Sequence, residues 1–239
     1  MRSRSYATVL VLGTLLGSAV AAQPVTAAAP PLVAQYGFQG RPSMVPDDSG
    51  NGHTMRLTSR RGGTLRPVQH GSGLGLQFPG KCRRSKCPHA VLQSPHKPEL
   101  NPGTRALSFG ATVRLERNQT SKGQNVVQKG YSVNGSQYKL QIDGSAGRPS
   151  CVLVDVRDRT VRQVWSSVPV ANGEWHAVRC QRNGAALRIM VDGTVTGLAK
   201  IPPGLSVANR HPLSIGGKGA YADNDQFQGA LDDVFVRIG

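Results

Sequence analysis

The stretch Leu107-Ser-Phe-Gly-Ala-Thr-Val-Arg-Leu115 decides the fold class. Leu107, Phe109, Ala111, Val113 and Leu115 fall on one face, and Ser108, Gly110, Thr112 and Arg114 on the other. A period of two belongs to a half-buried strand, not to a helix. The same pattern recurs on both sides of it, at 32–38, 74–78, 125–129, 137–142, 151–156, 161–165, 175–181, 187–191, 213–215 and 230–238. Between these runs lie Asp143-Gly144, Asn172-Gly173, Asn183-Gly184 and Asp192-Gly193, Asx-Gly steps that accept positive φ at hairpin bends. Ten or more short strands without a helical period predict an all-β protein, a sandwich of two antiparallel sheets closed within about 210 residues.

Composition agrees. The chain has 239 residues, with 29 Lys and Arg against 13 Asp and Glu, a formal charge of +16. Its 29 Gly and 16 Pro, with 38% hydrophobic residues, exclude a coiled coil, a collagen-like repeat and a wholly disordered chain. Arg2 and Arg4, the apolar run 7–20 and the small residues Ala19-Val20-Ala21-Ala22 follow the order of a secretory signal peptide. Residues 1–29 are therefore expected to be that signal and a short leader, and 30–239 the folded domain. The apolar run is shorter than the roughly 20 residues a spanning helix needs, so no stable membrane insertion is expected after cleavage. Four cysteines suit export and allow three pairings. Cys82 with Cys87 and Cys151 with Cys180 is the favoured one, because the first two sit in one Pro- and Lys-rich loop and the others in two strand-like segments.

Several segments together resemble a known family. Asp47-Asp-Ser-Gly-Asn-Gly-His53, Gln128-Lys-Gly130, Tyr138-Lys-Leu-Gln-Ile142, Gly173-Glu-Trp-His-Ala-Val178, Leu187-Arg-Ile-Met-Val-Asp-Gly193, Leu213-Ser-Ile-Gly-Gly217 and Phe227-Gln-Gly-Ala-Leu-Asp-Asp-Val-Phe-Val236 occur in the order seen in laminin-G-like domains of the concanavalin A-like lectin and glucanase superfamily. That resemblance implies a jelly roll whose first and last strands are neighbours. It also implies calcium, held by the Asp47 side chain, the Asn51 and His53 carbonyls, and Asp232. Calcium takes about six to eight oxygen ligands, and a glycine-rich loop exposes carbonyls. The alternative reading of the same residues is that Asp47 and Asp48 make Asx turns and that Asp232 or Asp233 caps backbone amides of the loop.

Alternation makes Trp175 and His176 point to opposite faces, and the tryptophan is expected to be the buried one. Basic residues gather at Arg56, Arg60, Arg61 and Arg66, at Lys81, Arg83, Arg84 and Lys86, at Arg157, Arg159 and Arg162, and at Arg179, Arg182 and Arg188. This charge favours acidic partners. Aromatics are only 5% of residues and no stacking array interleaves the arginines, so nucleic acid is not expected. Retaining glycanases need paired carboxylates. The three glutamates, Glu99, Glu116 and Glu174, lie far apart in sequence, and Tyr138-Lys-Leu-Gln141 is only a partial echo of a lyase site. The resulting expectation is a secreted, non-catalytic module for a polar or acidic glycan. A cell-envelope protein-interaction domain is the alternative, and a polysaccharide lyase or glycoside hydrolase a third reading. The residues expected to meet the ligand are Tyr131, Asn134, Tyr221, Asp223 and Asp225.

Overall fold

The structure, a computed structural model, describes residues 29–82, 86–133 and 135–239. The expected signal peptide falls on residues outside these. In chain order the strands are β1 (Leu32–Tyr36), β2 (Met44–Val45), β3 (Met55–Arg60), β4 (Arg66–His70), β5 (Gly73–Gln77), β6 (His89–Ser94), β7 (Leu107–Arg114), β8 (Gln124–Gly130), β9 (Gln137–Asp143), β10 (Arg148–Val154), β11 (Val161–Trp165), β12 (Trp175–Asn183), β13 (Ala186–Val191), β14 (Thr194–Lys200), β15 (Leu213–Ile215) and β16 (Ala230–Ile238). They form two antiparallel sheets. The first runs β14-β13-β12-β7-β16-β5-β4, with β1 also paired to β16; the second runs β11-β10-β9-β8-β15-β6-β3-β2. No helix of the described residues is long and apolar enough to cross a membrane.

The faces that meet carry the alternating apolar residues. Phe109, Ala111 and Val113 of β7, Val178 and Cys180 of β12, and Val234, Val236 and Ile238 of β16 line one side; Tyr138, Leu140 and Ile142 of β9 and Leu153 of β10 line the other. Phe109 and Tyr138 meet across the gap with ring centroids 5.1 Å apart. Cys151 on β10 and Cys180 on β12 form a disulfide through this core, tying one sheet to the other, and Cys82–Cys87 closes a short loop before β6.

The strands missing from the sequence reading share a cause. Strands β2, β3, β4 and β14 lie at or beside sheet edges, where one flank is open and polar residues are tolerated. Pro67 sits in β4, on an edge where its missing N–H costs nothing. In β6 the run Ala90, Val91 and Leu92 is buried on both faces, which erases the alternation.

Trp175 is a correction. Its parity is that of the outward-facing Ala177 and Arg179, while His176 shares parity with Val178 and Cys180. The indole lies half-buried on the outside of the first sheet, against the His70 ring at 4.3 Å and beneath the Arg114 guanidinium at 4.9 Å. At the strand end His176 contacts Asp192 (Nδ1 to Oδ2, 2.7 Å) and Asn172 (Nε2 to Oδ1, 3.0 Å) instead of entering the core.

Two buried cations fix the loops at one end. Lys129 on β8 is fully buried and donates from Nζ to the carbonyls of Asn209 and His211 and to Asn209 Oδ1, each at 3.0 Å. Burial pushes its amine down to about 8. Arg182 on β12 donates to the carbonyls of Leu205 (2.8 Å), Gly103 (3.1 Å) and Arg105.

Candidate functional site on the outer face of the second sheet

Since Tyr138, Leu140 and Ile142 point inward, Gln137, Lys139, Gln141 and Asp143 must point out. Register then aligns one row across seven strands: Gln163, Val152, Lys139, Gln128, Ser214, Gln93 and Arg56. Val152 is its one apolar member. A shorter parallel row holds Trp165, Ser150, Gln141 and Asn125.

Hydrogen bonds knit these rows together. Gln163 Nε2 donates to Ser150 Oγ (3.0 Å), and Ser150 Oγ and Gln141 Nε2 both donate to Asp143 Oδ2 (2.9 and 2.6 Å). Asn125 Nδ2 donates to Gln128 Oε1 at 2.6 Å, and Gln93 Nε2 to Ser214 Oγ at 3.0 Å. Asn125, Gln128, Ser150 and Ser214 are buried, although they lie on the side away from the core. Asn125 Oδ1 has no hydrogen-bond partner despite its burial. Burial raises the Asp143 carboxyl above the usual carboxylate range, more than the bonds from Ser150 and Gln141 lower it. It also lowers the Lys139 amine, which Asp225 and Asp143 partly restore.

The connection from β15 to β16 walls one side of this face. Gln226 pins it to β6: its Oε1 accepts from Ala90 N–H and its Nε2 donates to the Ala90 carbonyl, both at 3.0 Å. Asn224 is buried, its Nδ2 donating to the Gly219 carbonyl at 2.6 Å and its Oδ1 lying 3.0 Å from His89 Nδ1. Asp223 and Asp225, on either side of it, adopt left-handed φ of 60° and 52°, the first exposed and the second half-buried. Lys218 Nζ pairs with Asp225 Oδ2 at 2.6 Å. Tyr131 reaches the same loop through its hydroxyl, which donates to the Lys218 carbonyl at 3.2 Å, and it also bonds Tyr221. Burial first, then Tyr131 and the two aspartates, push the Tyr221 phenol up to about 12. A cavity of about 400 Å³ opens between the loop and the Cys82–Cys87 turn, bordered by His89, Lys122, Asp223 and Asp225.

Of the residues the sequence named for the ligand, Tyr131, Tyr221, Asp223 and Asp225 are neighbours, while Asn134 lies outside the described residues. Lys139, Gln141, Asp143 and Gln163 were missed, although alternation within Gln137–Asp143 already put the first three on one face. Tyr138 points into the core, opposite Lys139 and Gln141, so the partial lyase pattern does not share one surface.

The expected calcium ligands are placed differently. Asp47 Oδ1 accepts from Gln35 N–H (3.0 Å), Ser49 N–H (3.0 Å) and Ser49 Oγ (2.7 Å), and Oδ2 accepts from His53 N–H (3.0 Å). Burial works to raise this carboxyl, and the bonds from Ser49, Gln35 and His53 outweigh it. Asp48 Oδ2 accepts from Gly37 N–H at 2.7 Å. Asn51 Nδ2 donates to the Val33 carbonyl at 2.9 Å, and the His53 carbonyl accepts the Tyr36 hydroxyl at 2.8 Å. The His53 ring is buried without a hydrogen bond, Glu99 Oε1 standing 3.8 Å from Nε2. A carboxylate ringed by four donors turns positive hydrogens toward the place a cation would take, so the Asp47 loop as folded does not fit one. Asp232 is spent elsewhere: Oδ2 lies 2.6 Å from His70 Nδ1 and Oδ1 accepts from Asp233 N–H at 2.8 Å. Among the described residues, His70, Asp232 and Asp233 are the group whose donor atoms lie close enough together for an ion.

Comparisons with known proteins agree with the architecture. The binding domain of Paraclostridial Mosquitocidal Protein 1 superposes with a TM-score of 0.64 at 13% identity, covering 87% of this chain and 48% of that one. Domain 4 of AbnA, a GH43 extracellular arabinanase from Geobacillus stearothermophilus solved in complex with arabinotriose, gives 0.65 at 16% identity, over 89% of this chain and 94% of that one. The binding domain of Botulinum Neurotoxin DC in complex with SialylT gives 0.61 at 10% identity, over 86% and 47%. The chain spans about half the length of these two toxin domains, and such low identities show the fold alone. No curated protein matches the sequence. The model described as concanavalin A-like lectin/glucanases superfamily matches residues 89–237, well over half of the chain. The sixteen antiparallel strands of the described residues, in two facing sheets with first and last paired, agree with it: the chain belongs to the laminin-G-type family of the concanavalin A-like lectin/glucanases superfamily.

Proposed function

We propose that the protein is a secreted, non-catalytic module that binds a polar glycan across the outer face of its second sheet. The observation that carries this reading is the continuous cross-strand row from Gln163 to Arg56. Six strand-to-strand steps of about 4.8 Å make it about 29 Å long, with Gln163, Lys139, Gln93 and Arg56 reaching its surface between the buried Val152, Gln128 and Ser214. Amides, a hydroxyl and an amine offer both donors and acceptors, as sugar hydroxyls require. Trp165, about half exposed at 47%, stands beside Gln163 at the end of the face and presents a ring for an apolar sugar surface. Tyr221, Asp223 and Asp225 close the opposite side.

Support also comes from structures of the same fold: the arabinanase domain was solved with arabinotriose and the neurotoxin domain with SialylT. Two disulfides and the apolar run at the start of the sequence favour export. A protein partner is the second reading, favoured by the neurotoxin DC domain solved with rat synaptotagmin II. A divalent ion on this chain would find its ligands in His70, Asp232 and Asp233 rather than in the Asp47 loop, and the imidazole nitrogen suits a transition metal better than calcium.

The test is a glycan array followed by calorimetry on the best oligosaccharide, with Trp165→Ala and Gln141→Ala. Each variant should weaken binding about tenfold at unchanged melting temperature. Unchanged affinity in both removes this face as the site, and binding to envelope proteins with no glycan hit replaces the reading with the second one.

A further inference from the structure

The opposite side of the sandwich carries a separate depression of about 510 Å³, on the outer face of the first sheet. Two cross-strand rows run through this face, and Met190, Arg179, Phe235, Gln35 and Arg237 of them line the depression. One holds Met190, Arg179, Gly110, Phe235 and Gln35; its neighbour holds Arg188, Gln181, Ser108 and Arg237. Phe235 lies over Gly110: a Cβ there would stand 2.3 Å from the Val178 carbonyl oxygen and 3.1 Å from the Phe235 ring, so only bare backbone lets that ring rest at the bottom of the depression. Thr112 and Asp233 lie two residues further along the strands, with Thr112 Oγ1 donating to Asp233 Oδ2 at 3.3 Å.

The charges are unbalanced. Arg179 and Arg188 make no hydrogen bond or ion pair through their side chains, and Arg237 donates only to the Pro30 carbonyl at 3.3 Å. Among the described residues none of the three has a carboxylate partner, in a chain of formal charge +16. Asp233 is four residues along β16 from Arg237, beyond a bulge, and its carboxylate is engaged by Thr112.

We propose that this depression is a second ligand site, for a sugar-sized ring bearing a carboxylate or sulfate. The ring's apolar face would lie on Phe235 and Met190, its anionic group between Arg179 and Arg237, and its hydroxyls toward Gln35, Thr112 and Asp233. A pocket of this volume with an apolar floor and a few convergent polar groups has the usual make-up of a small-ligand site. A guanidinium matches carboxylate or sulfate oxygens with paired donors. The site is independent of the one on the second sheet and lies back to back with it, so one domain would hold two glycan segments.

The test uses the full chain, with trigalacturonate as the carboxylate probe and a heparin-derived tetrasaccharide as the sulfate probe, followed by calorimetry at low and physiological salt. The Arg179→Gln/Arg237→Gln variant should lose at least tenfold affinity for whichever probe binds, with an unchanged melt. Gln141→Ala, on the other face, should leave that affinity intact. Binding that survives the arginine variant, or that falls with Gln141→Ala instead, overturns the second site. Absence of binding by both probes also overturns it, while oligosaccharide binding on the second sheet stands or falls by its own variants.

Discussion

Removing the Cys151–Cys180 bridge should be the most costly covalent change available to this domain. The bond spans 29 residues and links β10 of the second sheet to β12 of the first through a core in which both sulfurs are wholly buried. Closing a loop of that size removes about 3.6 kcal/mol of chain entropy from the unfolded state on the loop-entropy model. The Cys82–Cys87 bridge, with a separation of only 5, gives about 2 kcal/mol on the same model. Near 2 to 4 °C per kcal/mol for a domain of about 200 residues, the double variant Cys151→Ala/Cys180→Ala should melt roughly 7 to 14 °C below the native protein. Scanning calorimetry on it, beside Cys82→Ala/Cys87→Ala, reads both numbers. A drop of less than about 1 kcal/mol for the core bridge, or a larger loss from the loop bridge, refutes the reasoning.

Two other outcomes are expected. Lys129 is protonated in the unfolded chain up to about its ordinary 10.5 but releases its proton near 8 when folded, so between those values the unfolded state holds more protons. Stability from this group therefore rises with pH across that window, and native protein should gain in urea midpoint relative to Lys129→Met between about pH 8 and 10.5; a constant difference removes the effect. Chelation by EDTA should leave the Asp47 loop unaffected, since its carboxylate oxygens are taken by Gln35, Ser49 and His53. A melt lowered by chelator and restored by a divalent metal, but insensitive in His70→Ala, would place the ion at His70, Asp232 and Asp233.

How much was legible in the sequence depended on whether a residue's surroundings are local. The alternation of Leu107 to Leu115 is a property of one strand, and the structure keeps it, with Leu107, Phe109 and Val113 inside. Hairpin steps such as Asp192-Gly193 are equally local, and both residues take positive φ. Trp175 and β6 failed for the opposite reason. Side-chain size suggested burial for Trp175, but strand parity was set by its partners across β7, and β6 was hidden under a loop more than a hundred residues away. For the site, Tyr221, Asp223 and Asp225 were visible as a polar loop, and Tyr131 joined them only through folding. The long polar row could not be read at all, because its members come from seven strands whose order in the sheet is not their order in the chain.

The pairing of β1 with β16 also sets how the domain answers to tension. Leu32 stands opposite Arg237 at the end of the ladder nearest both termini, and Tyr36 opposite Val234 further in. A pull applied to the two ends acts along the hydrogen bonds, not across the strands, so the rungs give way singly from the outside, as in a zip fastener. Such peeling proceeds at low force and frees the first strand before the layers separate. The segment between Cys151 and Cys180, a sequence separation of 29, adds nothing to the extended length, so a force-extension trace should fall short of the full contour by that segment until a reductant is added.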